Sequence, residues 1–157
     1  FALKRSSLED MEEKFQRGFE DAEENGFYRA AVDYLLYTVR CYFLMYVEDP
    51  SDKGYIVRME DHLQITEEWL EKHSFLDDQY RADYWYFYSL LLQLKGEDTE
   101  NALKKASYFS GRVNETSKYK KLKALLRNLE KIGASGSKIG NLDLEIGNFY
   151  NMIVSFC

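Results

Sequence analysis

The fold of this chain is decided by residues 27–47, FYRAAVDYLLYTVRCYFLMYV, in which apolar side chains occur at most positions. A helix on a protein surface has one apolar stripe, whereas a helix that is apolar on every side has to be covered on every side. Residues 80–94, YRADYWYFYSLLLQL, have the same character. The two segments are therefore predicted to be the central helices of an all-α protein.

Neither segment is predicted to cross a membrane, because a transmembrane helix needs about 20 predominantly apolar residues. The longer one is interrupted by the charged residues Arg29, Asp33 and Arg40. The two cysteines, Cys41 and Cys157, are too few for a disulfide framework and fit a reducing compartment. We therefore expect no membrane span and an intracellular, cytoplasmic location.

Further segments with helical spacing flank these two and bring the total to six. Leucine, methionine, phenylalanine and alanine recur every three or four residues in each of them. The pattern predicts a helical domain over residues 1–132 and a flexible Gly/Ser-rich connection over 133–141. Residues 142–157 are predicted to form a short docked helix, or alternatively a tail that folds against a partner.

The charge of the chain is unevenly distributed. Residues 1–100 hold 23 acids against 11 bases, a net charge of −12, and residues 101–157 hold 4 acids against 10 bases, a net charge of +6. Such asymmetry indicates a charged partner, internal complementarity or a head-to-tail contact between copies. The charge pattern alone does not distinguish these three explanations.

Six bases are concentrated on the predicted sixth helix. An apolar stripe on the same helix turns them toward solvent, where they form a candidate surface for an anionic partner or simply a solvated face. The chain as a whole is acidic, with a pI near 5.1, which argues against an ordinary nucleic-acid-binding domain. The six are Lys118, Lys120, Lys121, Lys123, Arg127 and Lys131.

Tyrosine is unusually frequent, with 13 residues in the chain. Its ring provides apolar area and its hydroxyl a polar tip, so it suits both a core and a binding groove. On the predicted fourth helix, Tyr80, Tyr84, Tyr86 and Tyr88 point in different directions and cannot all be buried. They are candidates for a concave surface that binds a protein partner, with core packing as the alternative.

No pattern identifies a catalytic, cofactor-binding or metal-binding site. His62 and His73 lack the HExxH or ExxH spacing that helical metal sites use. Residues 136–138, Gly-Ser-Lys, lack the GxxxxGK[ST] spacing of a phosphate-binding loop. The sequence therefore predicts a protein with no cofactor, no metal and no catalytic residue.

Gly26, Tyr28 and Ala31 match the G-x-Y-x-x-A pattern that joins the two helices of a tetratricopeptide repeat. Gly96 and Ala102 resemble a looser second copy of it. In this respect the chain resembles the tetratricopeptide family, although that family's tryptophan, leucine and glycine pattern is absent. The resemblance implies consecutive helical hairpins and a groove that binds a protein partner.

Two segments also resemble the helices of HEPN domains, compact helical proteins many of which act on or near RNA. The segments are residues 22–45, AEENGFYRAAVDYLLYTVRCYFLM, and residues 96–109, GEDTENALKKASYF. Catalytic HEPN proteins carry an arginine, four to six residues and then a histidine. Arg58 and His62 have only three residues between them, so this resemblance implies association with nucleic acid without cleavage.

Together these patterns predict an all-α protein of six to seven antiparallel helices in consecutive hairpins, either tetratricopeptide-like or a compact bundle. The function they favour is a non-catalytic adaptor that binds a protein partner. The first alternative is a HEPN-like protein that associates with nucleic acid and lacks the catalytic motif. The second is an obligate subunit of a helical homo-oligomer.

Overall fold

The computed structural model describes residues 5–135, and within them it confirms the all-α fold, with six helices packed in consecutive pairs and no strand. The predicted segment 142–157 lies outside the described residues, as does the predicted connection beyond Ser135. The helices are α1 Arg5–Glu24, α2 Tyr28–Glu48, α3 Gly54–Lys72, α4 Asp78–Lys95, α5 Glu100–Arg112 and α6 Thr116–Ser135.

Tight turns end α1 and α4 where the sequence places glycine. Gly26 and Gly96 both have φ of 73°, in the left-handed region where a side chain would be strained. At the first turn the Phe27 backbone N–H donates to the Ala22 carbonyl at 2.8 Å. The chain therefore reverses within three residues, and α2 packs back against α1.

The described helices form two compact units, residues 5–76 and residues 77–135. In the first unit α2 packs against both α1 and α3, and thirteen of its residues are buried. A helix with neighbours on two sides needs apolar residues around most of its circumference, which explains the composition of residues 27–47. The predicted domain bounds of 1–132 stay a prediction.

The second unit contains α4, α5 and α6. Helix α4 packs against α5, and α6 contacts both of them. Four members of the apolar stripe predicted for α6 are buried, namely Leu122, Leu125, Leu126 and Leu129, and its first member, Tyr119, is half-buried. This burial fixes which face of α6 is left to carry its bases.

Gly18 marks a close approach between α1 and α2. A Cβ atom at this position would lie 2.5 Å from the ring of Tyr34, well inside van der Waals contact. That ring also packs at right angles to Tyr37, with 6.1 Å between their centroids. Glycine at position 18 therefore leaves room for the Tyr34 ring, although its helix propensity is low.

Gly18→Ala is expected to lower the free energy of unfolding by about 1 kcal/mol, because displacing the Tyr34 ring outweighs the helix propensity that alanine adds. In a Tyr34→Ala background the obstacle is absent, so the same change should instead raise stability by about 1 kcal/mol. Urea unfolding of the four proteins in this double-mutant cycle measures both effects. Equal effects in the two backgrounds would contradict the close approach.

No helix within residues 5–135 is long and apolar enough to cross a membrane. No group of three or more histidine, cysteine, aspartate or glutamate side chains in the same part of the chain is arranged to hold a metal ion.

Candidate functional site

The four tyrosines predicted to line a groove on α4 are divided between core and surface. Tyr84 and Tyr86 are buried, with 3 % and 5 % of their surface exposed, whereas Tyr80 and Tyr88 are half-buried. Tyr84 stacks on Tyr88 with 5.7 Å between ring centroids and only 19° between ring planes. A partner that approached α4 could therefore reach Tyr80 and Tyr88 but not the other two.

The bases of α6 form an outward face opposite its buried leucines. Lys120, Lys121, Lys123 and Arg127 are exposed, and Lys131 lies on the same helix beyond the side chains that the structure describes. Lys123 also lies beside the ring of Tyr119, with 5.8 Å from Nζ to the ring centroid.

Lys118 is used differently from the other bases of α6. Its ammonium group forms an ion pair with the buried carboxylate of Asp83 on α4. It also lies 3.7 Å from the Glu115 carboxylate and 5.7 Å from the centroid of the Tyr86 ring. Lys118 therefore joins α6 to α4 and contributes little positive charge to the outward face.

An exposed aromatic patch lies in the first unit, at the turn before α2 and the loop after α3. We define the aromatic patch as Phe27, Tyr28, Trp69, His73 and Phe75. Phe27 and Phe75 are 64 % and 58 % exposed, and Tyr28 is 37 % exposed. Single exposed apolar side chains are common, whereas a cluster of exposed aromatic rings is typical of an interface.

Ring contacts hold the aromatic patch together. Tyr28 stacks on His73 with 4.3 Å between centroids and 19° between planes. The ring centroid of Trp69 lies 4.7 Å from that of His73, and the ring centroid of Phe75 lies 6.1 Å from that of Tyr28. His73 thus joins the exposed rings to the half-buried indole of Trp69, which itself packs edge-on against Phe19 of α1.

Three members of the aromatic patch also line one open pocket of about 380 Å³, together with Gly26, Arg29 and Ala30. They are Phe27, Tyr28 and Phe75. The other large apolar side chains exposed in the described residues are Val57, Ile65 and Tyr108, and none of them lines this pocket. The aromatic patch is therefore the strongest candidate site in the described part of the chain.

This site was not predicted from the sequence, because hydrophobic periodicity assigned Phe27 and Tyr28 to the core. Phe27 and Tyr28 are the first two residues of the segment 27–47, which was predicted to form a core helix. The positions of these aromatic residues in the chain could have indicated exposure, since Phe27 follows a turn glycine and Phe75 lies in the loop between α3 and α4. Aromatic residues at helix ends are covered less easily than those in the middle of a helix.

His62 lies in a small polar cluster between α1, α2 and α3. The Tyr42 hydroxyl donates a hydrogen bond to Glu12 Oε1 at 2.6 Å, and burial together with this bond raises the pKa of Tyr42. The His62 ring packs edge-on against Tyr42 at 5.0 Å, and its Nδ1 lies 3.1 Å from the Arg58 carbonyl oxygen. Arg58 itself is exposed beside the Tyr55 ring.

Burial lowers the pKa of His62 below its ordinary value of 6.5, and it outweighs the hydrogen bond to Arg58 and the charges of Glu12 and Asp61. The unfolded chain therefore takes up a proton at pH values where the folded chain does not. The contribution of His62 to the free energy of unfolding is fully present above pH 6.5. It is lost as the pH falls below that value toward the pKa of His62 in the folded chain.

His62→Gln is accordingly expected to flatten the decrease in unfolding free energy just below pH 6.5, whatever its effect on the absolute stability. Urea unfolding at a series of pH values compares the two slopes, and the carboxylates contribute the same background to both proteins. Parallel slopes would show that His62 titrates alike in the folded and unfolded chains.

No similarity to a known protein identifies the family of this chain. No family model, no curated protein and no solved structure matches the chain. The resemblances to tetratricopeptide repeats and to HEPN domains therefore stay predictions.

Proposed function

We propose that this chain is a non-catalytic interaction module that binds a protein partner through the aromatic patch. The observation that carries the proposal is the clustering of exposed Phe27, Tyr28 and Phe75 around one pocket. Aromatic side chains are enriched where proteins bind one another, and a few buried aromatic anchors supply most of the binding energy.

The ring contacts among Tyr28, His73 and Trp69 also favour binding. Tyr28 is held against His73, and His73 against Trp69, so these rings have already lost much of their conformational freedom. A surface that is ordered before the partner arrives avoids part of the entropic cost of association. The patch therefore resembles a preformed anchor site more than a set of isolated apolar residues.

The surroundings of the two histidines support the non-catalytic part of the proposal. His62 contacts the Tyr42 ring and the backbone of Arg58, and His73 stacks within the aromatic patch. Each histidine therefore already has a packing role in the first unit. General acid–base chemistry would need such a side chain aimed at a bound substrate.

Capture from a native extract of the source cells tests this function. The immobilised chain should retain one protein above the level seen with an unrelated acidic helical protein. Treating the extract with nuclease should leave this capture unchanged, because the contact is between proteins. A chain that retains no protein, or loses it after nuclease treatment, would contradict the proposal.

The exposed bases of α6 favour a second candidate function, association with nucleic acid. Lys120, Lys121, Lys123 and Arg127 share one solvent-facing side of the helix. Binding of this kind weakens steeply as salt rises, since each neutralised phosphate releases counterions. The net charge of −6 opposes it, because the chain as a whole repels phosphate.

Lys120→Glu/Lys123→Glu separates the two candidates. If nucleic acid is the partner, this variant should lose binding to a single-stranded RNA probe, while Lys104→Glu on α5 should bind almost normally. If the aromatic patch carries the function, the wild-type chain should show no measurable salt-dependent affinity for the probe. Filter binding at two salt concentrations distinguishes these results.

A further inference from the structure

We propose that the partner segment bound by the aromatic patch combines an apolar side chain with neighbouring lysine or arginine. This inference rests on the proposed function and adds the chemistry of the partner to it. The apolar side chain would occupy the pocket, and the cations would lie against the acidic residues around it.

The pocket fits an apolar anchor. Its volume of about 380 Å³ is in the range of sites that hold small organic groups, and exposed rings of Phe27, Tyr28 and Phe75 form much of its lining. Burying these rings under a leucine or an aromatic side chain would remove apolar area from water. A wholly polar segment would leave that area exposed.

The charges around the patch favour a basic segment. Residues 20–29 and 67–76 contain seven exposed acids against two exposed bases, Arg29 and Lys72. The acids are Glu20, Asp21, Glu23, Glu24, Glu67, Glu68 and Glu71. An excess of one sign around an apolar pocket attracts and orients segments of the opposite sign.

The aromatic rings themselves add to this preference. A lysine or arginine placed over an exposed aromatic ring is attracted by its quadrupole, and arginine can also bind a carboxylate through two hydrogen bonds. Phe27 and Phe75 are exposed enough to offer such contacts. An acidic peptide would be repelled by the carboxylates around the patch. A basic peptide would be attracted both by these carboxylates and by the aromatic rings.

Selection of peptides from a random twelve-residue display library against the immobilised full chain tests the inference. Enriched peptides should carry a large apolar residue with at least two lysines or arginines. The same selection on Phe27→Ser/Phe75→Ser should lose them, whereas Val57→Ser should retain them. Val57 is the matched control because it is an equally exposed apolar residue of the same unit, outside the pocket.

A synthetic copy of the most enriched peptide then tests the charges. Its affinity should fall at least tenfold in Glu68→Lys/Glu71→Lys, and circular dichroism should show that this surface variant remains helical. The Lys104→Glu variant should bind the peptide as the wild type does. Titration calorimetry at two salt concentrations should show weaker binding at the higher one.

The inference would be overturned by an absence of enrichment, by enrichment of peptides without bases, or by an affinity unchanged by Glu68→Lys/Glu71→Lys. A homodimer in sedimentation that Lys120→Glu/Lys123→Glu dissolves would do the same, since α6 of a second copy would then be the occupant. If a protein is still captured from the extract, the proposed function survives any of these failures.

Discussion

Replacing Phe43 by alanine is expected to lower the free energy of unfolding by about 3–5 kcal/mol, the largest effect predicted for a single residue of this chain. Phe43 lies in the C-terminal half of α2 and has no exposed surface. Truncation removes the transfer free energy of the ring and leaves a cavity that surrounding side chains fill only in part. Urea unfolding followed by circular dichroism measures the loss.

Phe27→Ala is the matched control, because it removes the same ring from the position that precedes α2. This ring is mostly in water, so its loss should change the unfolding free energy by less than about 0.5 kcal/mol. The two substitutions therefore compare a phenylalanine in the core, Phe43, with a phenylalanine at the surface, Phe27. Similar losses at both positions would show that Phe27 is part of the core and would contradict the aromatic patch as a free surface.

Asp83→Ala is expected to cost about 1–3 kcal/mol, less than for a fully buried pair because Lys118 is partly solvated. The carboxylate of Asp83 is nearly enclosed, and its removal takes away the closer of the two carboxylates that pair with the Lys118 ammonium. Glu115, at 3.7 Å, compensates only in part because its geometry is poorer. Thermal unfolding measures the loss.

The double variant Asp83→Leu/Lys118→Met should lose less stability than Asp83→Ala, since neither charge is then left without its partner. Lys104→Met is the surface control. Its ion pair with Glu100 is about 70 % exposed on both sides, so its loss should cost less than about 0.5 kcal/mol. An equal cost for Asp83→Ala and Lys104→Met would mean that the Asp83–Lys118 pair behaves as an ordinary surface contact.

Hydrophobic periodicity was sufficient to predict the helices. Residues 27–47 became α2, residues 80–94 became α4, and the stripe Leu122, Leu125, Leu126 and Leu129 became the buried side of α6. Such patterns are local, because a helix repeats every 3.6 residues and needs only its own sequence to display a face. Glycine at positions 26 and 96 marked two helix ends for the same local reason.

The candidate site could not be predicted in this way, since periodicity does not tell which faces meet. Stacking of Tyr28 on His73 depends on how α3 packs against α2, and pairing of Lys118 with Asp83 joins residues 35 positions apart. For the same reason the sequence could not separate buried Tyr84 and Tyr86 from half-buried Tyr80 and Tyr88. Tertiary packing decided each of these cases.

Site-specific photocrosslinking tests the central claim most directly. Benzoylphenylalanine would replace Phe75 in one protein and Tyr108 in another, two aromatic positions that are 58 % and 59 % exposed. After irradiation in a native extract, we expect a crosslinked protein partner from position 75 and none from position 108. No crosslinked protein at position 75, or the same protein at both positions, would contradict binding through the aromatic patch.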